Sequence, residues 1–131
     1  MTQPASVKKI LIIDDSQELV DVFKIIFEKQ GYEIIGKTSA TDIFTIASET
    51  KIDILFLDVY LNHTNGREIC RKLKANPSTN YFPIILMSGT PANLIDPEEC
   101  NADGFMEKPF NIENITDTIN SLLNLPEDTE A

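Results

Sequence analysis

The chain has 131 residues, which suits one domain and leaves little room for a second. Apolar residues make up 42% of it and charged residues 24%, a globular balance that excludes disorder, while a formal net charge of −10 argues against nucleic-acid phosphates or a polybasic membrane contact as partners. The longest apolar stretches, such as Ile10–Ile13 and Ile84–Met87, are far too short to span a bilayer, and Met1–Ser6 shows no secretory pattern, so membrane insertion is not expected and a cytoplasmic protein is.

In chain order, residues 1–7 read as a flexible N-terminal tail and Lys8–Ile13 as a strand. Its continuous branched run is the texture of a strand buried on both faces, as in a parallel sheet. Leu19, Val22, Phe23, Ile26 and Phe27 follow helical spacing, stopped by Gly31. Leu19, Val20 and Ile25 cannot all face the sheet if Val22, Phe23, Ile26 and Phe27 do, so the start of this helix is expected to offer a second, partner-facing side. Tyr32–Gly36 reads as a second strand and Ile43–Ala47 as a second helix. Ile52–Leu57 is a third strand, and Gly66–Lys74 a third helix ended by Asn76-Pro77. Pro83–Met87 is a fourth strand. Pro91 and Pro97 then interrupt the place of a fourth helix. Gly104–Glu107 is a fifth strand, and Ile112, Ile115, Ile119, Leu122 and Leu123 mark a last amphipathic helix with Asn111 as its cap. The domain is expected to span residues 8–124, followed by an acidic, flexible tail over 125–131. Strands alternating with helices imply an α/β fold: a doubly wound, five-stranded parallel sheet with helices on both faces.

Ligands of such sheets lie beyond the carboxyl ends of the strands. The first run ends in Asp14-Asp15, the third in Asp58, the fourth in Ser88-Gly89-Thr90 and the fifth in Lys108-Pro109-Phe110. Each alone has a bland reading, as a helix cap, a turn residue or a loop. Together, each at the end of a different strand, they place three carboxylates, a hydroxyl and an ammonium on one edge. Three carboxylates repel, and a small divalent cation relieves this; all-oxygen ligation suits Mg²⁺. One carboxylate can then act as nucleophile toward a phosphoryl group, with the metal and Lys108 neutralising the transferring oxygens and Ser88 donating a hydrogen bond.

With these residues in this order, the chain resembles a response-regulator receiver domain, the family of the chemotaxis regulator in two-component signalling, from about Lys8 to Leu123. The resemblance implies a flavodoxin-like receiver fold with Asp58 as phosphoacceptor. It implies Mg²⁺ held by Asp14, Asp15, Asp58 and the backbone carbonyl of Tyr60, and Gly66 at the family's glycine position. Ser88 resembles the family's hydroxyl residue and Lys108-Pro109 its lysine and cis-proline. Phe105 stands where an aromatic residue changes rotamer on activation, so Phe105 and Ser88 are the expected switch. The implied donor is a histidine kinase or histidine phosphotransfer protein, docking on the first helix and the site loops. The implied output is a protein-binding surface or onward transfer to a relay partner, with no conventional substrate turnover. No output domain follows Leu123 in the sequence, so a stand-alone regulator is expected.

Several positions depart from the family. Asn62 replaces a usual proline, which predicts a less stiff loop over Tyr60–Asn65. Gly89 replaces a common alanine, Phe105 lacks a phenol, and the interval from Ser88 to Lys108 is shorter than usual. His63 reads as a solvated loop residue, and Cys70 and Cys100 as reduced packing residues. Three rival readings remain in view. An aspartyl-nucleophile phosphohydrolase would space its first-strand acids apart, whereas these are adjacent. A flavin mononucleotide binder would carry a hydroxyl- and glycine-rich loop where the acidic pair would repel phosphate. A receiver-like scaffold that is never phosphorylated would not need Asp58, Ser88 and Lys108 together.

Overall fold

The computed structural model describes residues 7–123, so all but Val7 of the expected tails lies outside the described residues. In chain order the elements are β1 (Lys9–Ile13), α1 (Gln17–Lys29), β2 (Glu33–Lys37), α2 (Ile43–Glu49), β3 (Ile54–Asp58), a hairpin of β4 (Tyr60–Leu61) and β5 (Thr64–Asn65), α3 (Gly66–Ala75), β6 (Ile84–Ser88), α4 (Ala92–Ile95), a 3₁₀ turn (Pro97–Cys100), β7 (Gly104–Glu107) and α5 (Ile112–Leu123). The main sheet runs β2-β1-β3-β6-β7, with every neighbouring pair parallel. No described helix is long and apolar enough to cross a membrane.

Side chains alternate across a strand, so the continuous apolar runs feed two cores at once. Leu11, Ile13, Leu55, Leu57, Ile84 and Leu86 pack on the side of α2 and α3. Ile10, Ile12, Ile54, Phe56, Ile85 and Met87 pack on the side of α1 and α5. There Phe23 meets Phe27 and Phe56 with ring centroids 4.7 and 5.2 Å apart.

The facing of α1 differs from the sequence expectation. Val20, Phe23 and Phe27 are buried, Leu19 and Ile26 are half-buried, and Val22 and Ile25 are exposed. Val20, expected on the outer side, turns inward because β2 leaves a slot for it. A Cβ on Gly36 would lie 2.5 Å from Val20 Cγ1, so the missing side chain there is what admits the valine. Gly31, at φ +99°, ends this helix as expected. Asn111 caps α5, accepting from the Asn114 N–H at 2.8 Å.

The hairpin also differs from expectation. Instead of a looser loop, Tyr60–Asn65 pairs with itself, Tyr60 opposite Asn65 and Leu61 opposite Thr64. Leu61 is buried in the core beneath it, and Asn65 caps α3 by accepting from the Arg67 N–H at 2.8 Å. Pairing and burial supply the order that a proline would otherwise bring.

The fourth helical region is as broken as its prolines suggest. α4 is a single turn after Pro91, and Asp96 and Asn101, at φ 55° and 67°, bracket the 3₁₀ turn in left-handed conformations. The outer strand β7 therefore has no long helix over its α3-side face, and Phe105 on that face is only half-buried.

Candidate functional site

β1 delivers Asp14 into a fully buried position at the carboxyl edge of the sheet. The cap of α1 is Ser16, whose Oγ accepts the Leu19 N–H at 3.2 Å, so the acidic pair is not used up in capping. One carboxylate oxygen of Asp14 accepts the Ser16 N–H at 2.9 Å, and the other accepts from Lys108 Nζ at 2.6 Å. Asp15, the next residue, is exposed.

β3 ends in Asp58, which is 4% exposed. Its Oδ1 accepts the Tyr60 N–H at 3.4 Å, and its Oδ2 lies 3.5 Å from Lys108 Nζ. Asp14, Asp15 and Asp58 each offer an oxygen within 4.8 Å of the others. That anionic, all-oxygen donor set fits a small hard divalent cation such as Mg²⁺. Gly66 makes the approach possible. Its N–H donates to Val59 O at 2.7 Å, and a Cβ there would lie 2.2 Å from the carbonyl oxygen of Asp58.

Electrostatics follow from this crowding. Burial, then the charge of Asp14, push the Asp58 carboxyl up from 3.8 to about 6, against the opposing pull of Lys108 and the Tyr60 N–H. Burial works against the charge of Lys108, but its hydrogen bond to Asp14 and the charges of Asp14 and Asp58 outweigh it, so its pKa is raised. Asp58 is thus an anion at neutral pH, held beside a firmly charged ammonium.

β6 places Ser88 at the same edge, 1% exposed, with its oxygen accepting the Thr90 N–H at 3.0 Å. The Lys108 N–H donates to Ser88 O at 2.8 Å, which ties the ends of β6 and β7 together. The Lys108–Pro109 peptide is cis. A Cβ on Gly89 would meet nothing within 4 Å, so the entrance beside Ser88 is open.

The structure therefore brings together Asp14, Asp15, Asp58 and Lys108, with Ser88 linked through the backbone of Lys108. Tyr60 stands at the rim with its ring exposed, and Phe105 lies apart from the cluster, against the α3-side core. His63 is exposed at the hairpin tip. Sequence reasoning missed Ser16 and the Thr90 N–H. A serine three residues before a helical N–H was a readable cap signal, but nothing in the sequence marks a backbone N–H. It also missed a groove of about 600 Å³ between α1 and α5, lined by Leu19, Val22, Phe23, Ile26, Pro109 and Phe110 among others.

A family model described as the response regulator receiver domain matches residues 10–120. The phosphate regulon transcriptional regulatory protein PhoB of Pseudomonas aeruginosa is 30% identical over 128 residues, covering 95% of this chain and 56% of its own. The chain spans about half the length of the curated relatives it matches. Among solved structures, the signal receiver domain of a histidine kinase from Syntrophus aciditrophicus superposes with a TM-score of 0.81 at 28% identity, covering 95% of this chain and 96% of its own. The chemotaxis response regulator CheY4 of Vibrio cholerae superposes with a TM-score of 0.82 at 22% identity, covering 90% and 100%.

Proposed function

The chain belongs to the response regulator receiver domain family, and from that premise we propose that Asp58 accepts a phosphoryl group from the phosphohistidine of a histidine kinase or histidine phosphotransfer protein in the cytoplasm. The observation that carries this reading is the convergence of Asp14, Asp15, Asp58 and Lys108 from three separate strand ends. A carboxylate oxygen of Asp58 attacks phosphorus, a P–O bond forms, and the P–N bond breaks with its electron pair leaving on the imidazole. With its pKa about 6, Asp58 is ionised for this attack at neutral pH. Lys108 sits 3.5 Å from the attacking carboxylate, where its charge meets the transferring oxygens. Ser88, its oxygen engaged by the Thr90 N–H, has its hydrogen free to donate to a phosphoryl oxygen. Asp14, Asp15, Asp58 and the Tyr60 carbonyl would hold Mg²⁺, which when bound supplies positive charge against the developing negative charge of the phosphoryl group.

The phosphoryl state is read out through Ser88 and Phe105. Movement of Ser88 toward the phosphoryl group opens space beneath Phe105, which is half-buried and has more surface to hide. Burying a whole phenylalanine contributes about 1.5–3 kcal/mol, and a part of that shifts a closely balanced equilibrium. The phosphodonor protein docks on α1, where Val22 and Ile25 are exposed and Val22 lines the α1–α5 groove. The chain acts as a signalling module, and water returns Asp58 to its free carboxylate.

Intact mass after incubation with acetyl phosphate and Mg²⁺ tests the reading. The wild type gains one phosphoryl group and Asp58→Asn gains none; a gain at an aspartate in Asp58→Asn overturns the assignment. Val22→Glu slows transfer from the phosphodonor protein while leaving acetyl phosphate labelling intact; equal loss in both assays marks a damaged fold, and unchanged transfer removes α1 as the docking face.

A further inference from the structure

Cys70 and Cys100 take no part in the site above. Cys70 lies on the inner face of α3 and Cys100 closes the 3₁₀ turn; both are free and both are fully buried. The Cys70 thiol donates to Cys100 O at 3.4 Å. The Cys100 thiol donates to Pro97 O at 3.3 Å. Two thiols 30 residues apart in sequence thus meet at the joint between α3 and the segment 91–101.

That joint is held by side chains. The backbone hydrogen bonds around the segment run from Leu94 to Pro91, Asp96 to Ala92, Glu99 to Asp96, Asn101 to Glu98 and Ala102 to Pro97, all within residues 91–102. Its polar ties to α3 are Glu99 with the half-buried Arg67 and the exposed Arg71, and the Cys70–Cys100 contact. Left-handed residues at Asp96 and Asn101 bracket the turn. Opening exposes Cys100 while Cys70 stays on its helix. In the closed state burial pushes the Cys70 thiol up, and the neighbouring Cys100 adds to this, while burial of both sulfurs keeps peroxide away from them.

We propose that Cys70 and Cys100 are a redox-modification site, converted by peroxides into an intramolecular disulfide that clamps the segment 91–101 to α3. In the opened state the Cys100 thiol gives its proton to water, and its thiolate attacks one peroxide oxygen. An S–O bond forms, the O–O bond breaks, and hydroxide leaves to become water, with sulfur oxidised to a sulfenic acid. Reclosing brings Cys70 onto that sulfur. An S–S bond forms, the S–O bond breaks, and the departing hydroxide takes the proton of Cys70 as a second water. Both sulfurs are oxidised by one electron each and the peroxide is reduced by two. A small dithiol reverses the clamp by exchange.

The test is intact mass and non-reducing peptide mapping of the full chain after hydrogen peroxide. The expected result is loss of a pair of hydrogens with a Cys70–Cys100 cross-link within one chain, restored by dithiothreitol, and slower amide exchange over Asn93–Asn101 once oxidised. In Cys70→Ser the sulfenic acid on Cys100 is trapped by dimedone, whereas in Cys100→Ser Cys70 stays unmodified. Glu99→Gln, which loosens Arg67 and Arg71, forms the cross-link several-fold faster; Arg71→Gln is the second variant if Glu99→Gln folds poorly. Asp58→Asn cross-links as the wild type does, so the clamp and the phosphoryl chemistry stand or fall separately. The proposal is overturned if the folded chain keeps both thiols under conditions that cross-link the urea-unfolded chain, or if the cross-links join different chains. A rate unchanged in both loosened variants overturns the gating.

Discussion

The ends of β1 and β3 and the segment 91–101 flank the same serine, yet they are held on opposite terms. The strand ends are fixed by bonds between distant parts of the chain: Asp14 N–H to Lys37 O, Val59 N–H to Met87 O, and Lys108 to Asp14 across 94 residues. The segment is held by local backbone bonds, by Glu99 paired with a half-buried Arg67 and an exposed Arg71, and by the burial of Ile95 and Cys100. The first region can keep carboxylates close together because relaxing them would mean breaking the sheet. The second can change position without breaking a strand pairing, giving up only its side-chain ties to α3 and the burial of Ile95 and Cys100. A site that stores repulsion beside a surface with few long-range bonds is what a switch requires.

The largest expected effect bears on the stored repulsion. Asp58 titrates near 6 when folded against 3.8 otherwise, so the folded chain holds the extra proton between those values. Stability without metal therefore falls as pH rises from about 4 through 6, by about 3 kcal/mol in all from this group. Asp58→Asn should remove that slope and leave the chelator-treated protein more stable than wild type at pH 7, read by urea denaturation across pH. A variant less stable than wild type at pH 7 would mean that the strand ends store nothing.

How much of this contrast was legible in the sequence depends on distance along the chain. The strand ends were readable because each apolar run stops at a chemically distinct residue, and run and residue are neighbours. The broken fourth region was readable because Pro91 and Pro97 act locally. The facing of α1 was not, because Leu19, Val20, Val22 and Ile25 widen its apolar stripe beyond what one sheet face covers, and the slot that draws Val20 inward belongs to Gly36 on another strand. The hairpin was not, because two-residue strands carry no periodicity. The salt links of Glu99 to α3 were not, because nothing in a charge pattern names a partner 28 or 32 residues away.

Gly66 is the next way to press on the rigid region. A Cβ at 2.2 Å from the Asp58 carbonyl oxygen meets backbone, which cannot swing aside as a side chain would. Gly66→Ala should cost about 1–3 kcal/mol, as overpacking does, and should also slow acetyl phosphate labelling by displacing Asp58. Full stability with full labelling would show that the strand end gives way more easily than its bonding suggests.

A smaller effect comes from metal. An ion that binds the native carboxylates and not the unfolded chain stabilises by mass action. With an affinity of about 1 mM, about 10 mM Mg²⁺ adds roughly 1.4 kcal/mol. The melting temperature should rise with Mg²⁺ in wild type and respond less in Asp15→Ala, whose remaining cluster holds one carboxylate fewer. No rise in wild type, with no heat on titration, would remove the cation from the site.

The smallest effect on global stability is expected where a core substitution would ordinarily be severe. Ile95 and Ile119 are both almost completely buried, one in α4 and one in α5. Truncating a buried isoleucine to alanine costs about 2–5 kcal/mol when its surroundings cannot leave, and Ile119→Ala should fall in that range. Ile95 sits on a segment that can open while the sheet stays folded. Once the segment is open, Ile95 has no contact left to lose, so the cost read by global unfolding cannot exceed the free energy of opening. Ile95→Ala should therefore cost no more than about 1 kcal/mol in denaturant melts, the loss appearing instead as faster amide exchange over Asn93–Asn101. Equal costs for the two substitutions would show the segment welded to the core, and the contrast between a rigid site and a movable face would fall with it.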